Sequence, residues 1–523
     1  MGKFNVTAIK AALFSPITTE RTATGRTHED GPGYQRDAKS ALFLLAVSNL
    51  VGENTFYESA GKRDQRYAEL VHAATLADPE WTARFLRWLR TDANMRSASL
   101  VGAAEFTKAR LEAGLDGQSR QVVASALQRA DEPGEMLAYW TSVHGRNVPK
   151  PVKRGVADAA KRLYHERSFL KYDSDARGYR FGDVLNLTHP DADGRQGDLF
   201  RYALDVRHGN AEQIPDTLRT LRANAAVRAA VAAEPEVLLD SEALREAGMT
   251  WEATLSLAGS TIDKQRLWEA LIPSMGYMAL LRNLRNFDEA GVSDEVAARV
   301  AGRLADPDQV ASSRQFPFRF LSAYETAPSL RWGHALDTAL GHSLRNLPSL
   351  PGRSLILIDT SASMTGLGHS ARSKVTPAKA AAVFGVALGA KGERVDVVGF
   401  ANGTFRHRVR KGAAVIREVE RFLERIGEVG HGTDIGGALR RSYAGHDRVF
   451  IISDMQTVGG PRGPQVGDLV PKHVPIYGFN LQGYQAAAMA TGSAHRHEFG
   501  GLTDATFRMI PLLEAGRTAD WPF

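Results

Sequence analysis

The hydrophobic pattern of this chain changes its period once, near Pro351. From about residue 66 to 345, apolar residues recur at helical spacing, in segments of one to two dozen residues separated by short turns. Beyond Pro351, short apolar runs such as SLILI, RVDVVGFA, DRVFIIS and PIYGFN alternate with helix-length segments such as PAKAAAVFGVALGA and IREVERFLERIG. Since the stretch RNLPSLPGR between them suits a linker, we predict two domains, residues 1–350 and 351–523.

The first pattern predicts an all-helical domain. The segment EWTARFLRWLR, for example, follows Asp78 and Pro79, where a proline prevents a preceding helix from continuing. Helices joined this closely are typical of antiparallel pairs stacked as a solenoid. The sequence has no clean repeat period, so a generic helical bundle is the alternative.

The second pattern predicts a doubly wound α/β domain. Strands separated by helix-length segments form a parallel sheet that helices cover on both faces. In such open sheets, ligands bind in the crevice beyond the carboxyl ends of the strands. The candidate functional residues of this domain are therefore those that directly follow its strands.

The amino-acid composition limits the kinds of functional site that the chain can contain and the cell compartment in which we expect it. The chain of 523 residues contains no cysteine, which excludes disulfides, thiolate metal sites and a cysteine nucleophile. No apolar run approaches the roughly 20 residues of a membrane span, and the N-terminus lacks the pattern of a secretory signal peptide. We expect a soluble cytoplasmic protein, without membrane partners, and a monomer.

Charge is informative locally rather than globally. The formal net charge is +6, but residues 351–523 hold 21 Lys and Arg against 15 Asp and Glu, and residues 1–350 are balanced at 44 against 44. Between His144 and Phe181, ten Lys or Arg accompany four acids, a concentration that suits phosphate binding. A solvated helix surface is the alternative explanation.

Small oxygen-bearing side chains follow the strands of the second domain. Asp359, Ser361 and Ser363 come directly after the strand LILI, Thr433 lies in the glycine-rich stretch VGHGTDIGG, and Asp454 follows VFIIS. Each alone is compatible with a helix cap. Together, carboxylates and hydroxyls without nitrogen or sulfur ligands suit a hard cation, and Mg²⁺ or another divalent cation fits this set.

In this order and on this predicted fold, the five residues resemble the metal-ion-dependent adhesion site of von Willebrand factor A domains. That site has the pattern Asp-x-Ser-x-Ser, then Thr, then Asp, and the chain matches it at every position. The resemblance implies a metal with an open coordination position that a carboxylate of a partner fills.

The first domain carries a second resemblance. The segments RNVPKPVKRGVADA, KYDSDARGYRFGDVLNLTHP and ALIPSMGYMALLRNLRNF resemble successive motifs of TROVE domains, and with the A domain behind them nearly the whole chain resembles the Ro autoantigen family. The resemblance implies a ring of HEAT-like helical repeats. It also implies binding of Y RNA-like small noncoding RNAs on a basic surface, and passage of single-stranded 3′ ends of misfolded RNAs through a central hole.

Candidate RNA-binding residues lie in the basic stretch. In the segment PVKRGVADAAKRLYHE, a helical turn of 3.6 residues places Val152 and Val156 on one face and the nearby basic residues on another. Lys171 and His189 match family positions implicated in RNA contact, and Asp173 and Asp175 stand where relatives have further basic residues. The complete candidate set is Lys150, Lys153, Arg154, Lys161, Lys171, Arg177, Arg180 and His189.

We therefore predict a non-enzymatic RNA-binding scaffold for quality control or processing of noncoding RNA, with an exoribonuclease reached through bound RNA as a further partner. The alternative is a protein-interaction adaptor whose A domain grips an acidic partner. An RNA hydrolase that uses Asp359 or Asp454 around magnesium ranks last, because no nucleophile and base accompany these ligands.

Overall fold

The structure is a computed structural model that describes residues 15–48, 51–176, 178–327, 329–345, 347, 350–366, 375–459, 465–493, 495–501, 509–511, 513–514 and 520–523. The chain forms two compact units: one spans Val71–Ser343, and the other combines Met1–Leu70 with Leu344–Phe523. Within the described residues, no helix is both long and apolar enough to cross a membrane.

The N-terminal part begins with a short hairpin. Strands β1 (Gly25–Arg26) and β2 (Pro32–Gln35) pair antiparallel and are followed by helices α1 (Ala38–Ser48) and α2 (Ala60–Ala77). Helix α1 is buried over most of its length and packs against a strand of the α/β unit.

The unit that spans Val71–Ser343, called the helical unit below, is a succession of helices, as the helical periodicity predicts. Asp78 caps α3 by accepting a 3.0 Å hydrogen bond from the Trp81 amide, and Pro79 occupies the first turn, where no backbone donor is needed. The helices are α3 (Pro79–Thr91), α4 (Arg96–Glu112), α5 (Ser119–Ala126), α6 (Glu132–Val143), α7 (Lys150–Leu163), α8 (Glu166–Tyr172), α9 (Phe181–Thr188), α10 (Gly194–His208), α11 (Arg219–Ala230), α12 (Ser241–Glu246), α13 (Trp251–Ala258), α14 (Lys264–Leu271), α15 (Tyr277–Arg282), α16 (Leu284–Glu289), α17 (Asp294–Ala305), α18 (Pro307–Ser313), α19 (Phe318–Thr326) and α20 (Gly333–Ser343). Short 3₁₀ helices lie at Pro235–Leu239, Ile272–Ser274 and Leu330–Trp332.

The helical unit returns on itself. Arg314, which follows α18, donates a 2.5 Å hydrogen bond from Nη1 to the carbonyl of Thr91 at the end of α3, although 223 positions separate the two residues. Neighbouring helices pack in sequence order, as α3 on α4, α4 on α5, and α9 on α10. Sequential packing is the arrangement expected for stacked helical repeats, and the hydrogen bond of Arg314 links a late helix to an early one.

The α/β unit is built on a six-stranded sheet with the order β5-β4-β3-β6-β7-β9. All neighbours are parallel except β5, which runs antiparallel to β4 at one edge. The elements are β3 (Arg353–Asp359), α21 (Ala362–Thr365), α22 (Pro377–Lys391), β4 (Arg394–Phe400), β5 (Thr404–His407), α23 (Val415–Leu423), α24 (Ile435–Ser442), β6 (Arg448–Ser453), a 3₁₀ helix at Val466–Asp468, β7 (Ile476–Asn480), β8 (Ala486–Ala487) and β9 (Arg496–Gly500).

The predicted metal ligands follow the two central strands of the sheet, β3 and β6. The chain runs from β3 outward to β4 on one side and then returns to add β6 on the other, so the strand order reverses between β3 and β6. A crevice forms at such a reversal, beyond the carboxyl ends of the two strands. Asp359 ends β3 and Asp454 follows β6, so both residues lie at this crevice.

The N-terminal residues differ from the prediction that residues 1–350 form one domain. Tyr34 of β2 pairs with Ala487 of β8, and the side chain of Arg36 forms a buried ion pair with Glu498 of β9. These contacts remove backbone groups and two opposite charges from water, so the described residues up to Leu70 belong to the α/β unit. The other unit boundary, at Ser343 and Leu344, lies close to the predicted position.

Candidate metal centre and nucleic-acid interface

The predicted metal ligands lie together in the α/β unit. The Asp359 carboxylate accepts a 2.9 Å hydrogen bond from the Ser361 amide and a 2.5 Å hydrogen bond from the Ser453 hydroxyl. The Ser361 and Ser363 hydroxyl oxygens are 3.2 Å apart. These side chains and that of Asp454 are buried, so the crevice holds a compact group of oxygen atoms.

The glycine-rich stretch that contains Thr433 adjoins these residues, because the Ala362 amide donates a 2.9 Å hydrogen bond to the His431 carbonyl. Asn402 Oδ1 accepts hydrogen bonds from the amides of His431 (2.9 Å) and Gly432 (2.8 Å). A Cβ at Gly432 would lie 2.6 Å from Asn402 Nδ2, so a side chain there would displace the Asn402 side chain that binds the loop. The Thr433 carbonyl in turn accepts a 2.7 Å hydrogen bond from the amide of Val458, in the segment that follows Asp454.

Burial and like charge disfavour ionisation of the two carboxyls in this crevice. Burial raises the pKa of Asp359. The pKa of Asp454 is also raised, mainly by burial and to a lesser extent by the nearby charge of Asp359. Glu29 adds a further negative charge that acts on both carboxyls. Within the described residues, Asp454 Oδ2 is buried without a hydrogen-bond donor. An all-oxygen donor set with an unsatisfied buried carboxylate fits a hard divalent cation.

The sequence reasoning missed two side chains beside these five. The first is Tyr57, which donates a hydrogen bond to the second, the Glu29 carboxylate. Burial raises the pKa of Tyr57, and a side-chain hydrogen bond with Ser363 partly offsets this rise. Neither residue follows a strand of the large sheet, which explains why a search of strand ends does not find them.

The helical unit presents the predicted basic face on α7. Val152, Val156 and their neighbours at helical spacing are buried against α5 and α9, whereas Lys150, Arg154 and Lys161 are exposed on the opposite side. We call these three residues the α7 ridge. Lys153 lies between the two faces and is half-buried.

The ridge keeps its positive charge. The one acidic residue of α7, Asp158, accepts hydrogen bonds of 2.7 and 2.8 Å from the Arg120 guanidinium. No salt bridge in the described part of the chain involves Lys150, Arg154 or Lys161. Three exposed cations on one helix face, none of them held in a salt bridge, are available to phosphate groups.

The other predicted RNA-binding residues have different fates. Lys171 is exposed, with Nζ 5.2 Å from the centre of the Tyr172 ring, and exposed His189 ends α9 with a left-handed backbone. Arg180 instead donates hydrogen bonds to Asp173 (Nε, 3.1 Å) and Asp175 (Nη1, 2.8 Å), so its charge is neutralised internally. We therefore remove Arg180 from the candidate surface. Arg177 lies outside the described residues.

A basic cleft that the sequence reasoning did not identify lies in the α/β unit. Its volume is about 770 Å³. Two of its cations are neutralised, because Arg410 and Arg421 both hydrogen-bond to the buried Glu418. The cationic residues that line it are Arg406, Arg408, Arg410, Lys411 and Arg421.

Comparisons with known proteins agree with this architecture. A family model described as the TROVE domain matches residues 245–332. Telomerase protein component 1 of Mus musculus is 43% identical over 83 residues, and the protein of the same name from Rattus norvegicus is 42% identical over 83 residues. Each match covers 16% of this chain, and the chain spans only 3% of the length of these curated relatives.

Among solved structures, the crystal structure of the Deinococcus radiodurans Ro (Rsr) protein matches with a TM-score of 0.61 and 18% sequence identity. The match covers 91% of this chain and all of the other. At this identity the match establishes a shared fold, which combines helical repeats with an α/β unit.

Proposed function

We propose that the chain is an RNA-binding scaffold of the TROVE-domain family, because a TROVE family model matches residues 245–332 and the fold is shared with a Ro protein. The observation that carries the proposal is the α7 ridge. Its three cations are exposed, lie on one face and form no salt bridge among the described residues. Cations of this kind bind phosphates by releasing condensed counterions, without reading base sequence.

We propose further that the bound RNAs are small structured noncoding RNAs resembling Y RNAs, and misfolded RNAs with single-stranded 3′ ends. Double-stranded RNA is recognised mostly by its shape and backbone, while unpaired ends can enter a narrow opening that a duplex cannot. Lys171 and His189, exposed after α7 in the chain, extend the set of candidate contacts. An exoribonuclease would join such a complex through the bound RNA.

The test replaces Arg154 and Lys161 together by alanine. A structured RNA with a single-stranded 3′ tail is titrated with the full chain at several salt concentrations. Because each lost phosphate contact lowers the salt slope by about one, we expect the slope to become shallower by about one to two units, with weaker binding at every salt concentration. A blunt duplex should compete poorly, and the RNA should stay uncut with magnesium present.

The control variant replaces Arg285 and Arg299 by alanine. These side chains are 67% and 63% exposed and pair with Glu289 and Glu295 on their own helices. The control removes the same charge from the same unit, so it should leave the slope unchanged. Equal weakening of RNA binding by both variants would contradict a defined interface. If alanine at Arg406 and Arg408 weakened RNA binding more than the α7 ridge variant does, the RNA site would lie in the cleft of the α/β unit instead.

A second candidate function rests on the oxygen-lined crevice. We propose that it binds Mg²⁺ or another divalent cation through Asp359, Ser361, Ser363, Thr433 and Asp454, and that the metal serves attachment of an acidic partner. The unsatisfied Oδ2 of Asp454 supports this proposal. We assign no hydrolytic activity, because no histidine or lysine side chain hydrogen-bonds to these residues in the described part of the chain.

A further inference from the structure

The basic cleft of the α/β unit lies at one edge of the large sheet. Strand β5 pairs with β4, with His407 opposite Val397, and forms the last strand on this side of the described sheet. The cleft is lined by residues of β4, of β5 and of the segment that follows β5, together with Arg421 of α23. At about 770 Å³, it falls within the roughly 300–1,000 Å³ that is typical of small-ligand sites.

Basic side chains at alternate positions lie along this edge. Phe405 and His407 are buried, whereas Arg406 and Arg408 are exposed. Alternate residues of an extended strand project to the same side, about 6.6 Å apart. Lys411, also exposed, donates a 3.3 Å hydrogen bond to a backbone carbonyl. None of these three cations takes part in a salt bridge within the part of the chain that the structure describes.

One buried carboxylate holds two further arginines in place. Glu418 accepts a 2.7 Å hydrogen bond from Arg410 Nε, and hydrogen bonds of 3.1 and 3.0 Å from Arg421 Nη1. The Glu418 side chain is buried, while those of Arg410 and Arg421 are 58% and 45% exposed. A guanidinium has five N–H groups, so both arginines keep donors for a ligand. The acidic residue in the lining, Asp396, is itself paired with Arg353 at 2.7 Å.

The buried ring of His407 senses a positive environment in the cleft. Burial lowers the pKa of His407. The charge of Glu418 acts in the opposite direction, but the charges of Arg421, Arg425 and Arg410 add to the lowering. The ring is therefore neutral at neutral pH and lies beside several guanidinium groups, which is the environment of an anion site.

We propose that this cleft binds a small molecule that carries two or more phosphate groups. Guanidinium groups match the oxygens of phosphate in paired hydrogen bonds. A phosphate monoester carries about 1.5 to 2 negative charges at pH 7, whereas a carboxylate carries one, so linked phosphates suit a small site with several cations.

Two sources share this chemistry, inorganic pyrophosphate and nucleoside diphosphates. Val395, Val397 and Val409 line the cleft beside the cations and offer apolar surface to a nucleoside. The site is separate from the α7 ridge and from the oxygen-lined crevice, so the proposal depends on neither RNA binding nor a metal.

The experiment titrates the full chain with inorganic pyrophosphate by calorimetry, in a buffer without divalent cations. The wild type is compared with the double variant Arg406→Ala and Arg408→Ala. We expect pyrophosphate to bind the variant at least about tenfold more weakly, because two cations that form charge-assisted hydrogen bonds are lost. Citrate, which offers carboxylates instead of phosphates, should bind the wild type more weakly than pyrophosphate does.

A parallel titration with ADP identifies the source of the phosphates. Tighter binding of ADP than of pyrophosphate would support the proposal and assign the site to nucleoside phosphates. Equal binding would support it and assign recognition to the phosphate groups alone. Binding of citrate as tight as that of pyrophosphate would overturn the phosphate specificity.

The matched control replaces Arg417 and Arg440 by alanine. Both are exposed, lie on α23 and α24 of the same unit, and are absent from the lining of the cleft. The control removes the same charge, so it should leave pyrophosphate affinity unchanged.

Three results would overturn the proposal. If the wild type bound no pyrophosphate, or if both variants weakened binding equally, Arg406 and Arg408 would serve only to prevent the sheet edge from pairing with other strands. If a single-stranded oligoribonucleotide bound at these arginines and pyrophosphate did not compete, the cleft would belong to an RNA surface. RNA binding at the α7 ridge is measured separately and would stand in the first two cases.

Discussion

At the scale of single residues, the α/β unit depends on one buried ion pair. The Arg36 guanidinium donates to the Glu498 carboxylate at 2.9 Å from Nε and at 2.6 Å from Nη2, and Asn480 adds a 3.0 Å hydrogen bond. The side chains of Arg36 and Glu498 are 1% and 0% exposed. Each charge therefore replaces the water that the other has lost.

We expect Glu498→Gln to lower the free energy of unfolding of this unit by about 3–5 kcal/mol, because it leaves the buried Arg36 charge uncompensated. Denaturant titration of the full chain, followed in the α/β unit, measures this loss. The control Glu428→Gln breaks an ion pair with Arg425 whose carboxylate is 46% exposed, and it should leave the free energy of unfolding nearly unchanged. Equal losses in the two variants would show that burial of the pair is unimportant.

This pair also marks the limit of sequence reasoning about residues. The strand-end oxygens could be found because the position of Asp359 or Asp454 follows from its own strand. The segment RHEFG, by contrast, has too many polar residues to resemble a buried strand, yet it forms β9. Its Glu498 is neutralised by Arg36, 462 positions away, and no local pattern contains that information. Glu29 was missed for the same reason.

At the scale of elements, a buried carboxylate joins helices α2, α4 and α6. Glu105 of α4 is hydrogen-bonded to His72 of α2 (2.8 Å), to Tyr139 of α6 (2.7 Å) and to His144, which ends α6 (2.9 Å). Burial alone would raise the pKa of Glu105, but the hydrogen bonds from His72 and Tyr139 and the charge of His144 outweigh it and lower the pKa.

The sign of this shift predicts how stability changes with pH. Because the folded-state pKa is lower than the unfolded value of 4.5, the contribution of Glu105 is complete above that value and disappears as pH falls through the folded pKa. Urea midpoints of the wild type and Glu105→Gln should therefore differ most near neutral pH and converge as the pH falls below the folded-state pKa of Glu105. A difference that stays constant from pH 7 to pH 3 would contradict this role.

Element prediction succeeded where apolar periodicity was strong and failed where glycine or polarity masked it. The α22 segment and strands β3, β4, β6 and β7 correspond to runs identified in the sequence. Helix α24 was missed, because its first turn contains two glycines and follows a glycine-rich loop. Strand β5 was missed because it has four residues and lies at the sheet edge.

At the scale of the whole molecule, the α/β unit takes chain from both sides of the helical unit. The sequence pattern located one unit boundary well, but it gave no sign that the N-terminal residues belong with the second domain. Hairpin pairing of β2 with β8 and the packing of α1 against β9 are long-range contacts, which periodicity cannot predict.

We therefore expect the fragment 351–523 alone to lack a cooperative thermal transition, since it loses β2, α1 and the partner of Glu498. A fusion that joins residues 15–70 to 344–523 through a flexible linker should restore the transition, as followed by circular dichroism. A fragment that melts as cooperatively as the fusion, at the same temperature, would show that the N-terminal residues are dispensable for this unit.

The division of the α/β unit between two ends of the chain has a consequence for biosynthesis. The ribosome releases Arg36 early, but Glu498 emerges only after the entire helical unit has been made. At about 5–20 residues per second, this interval is on the order of tens of seconds. During that time the nascent N-terminal segment has an unpaired hairpin and the apolar surface of α1, for which a chaperone that binds nascent chains is a natural temporary partner.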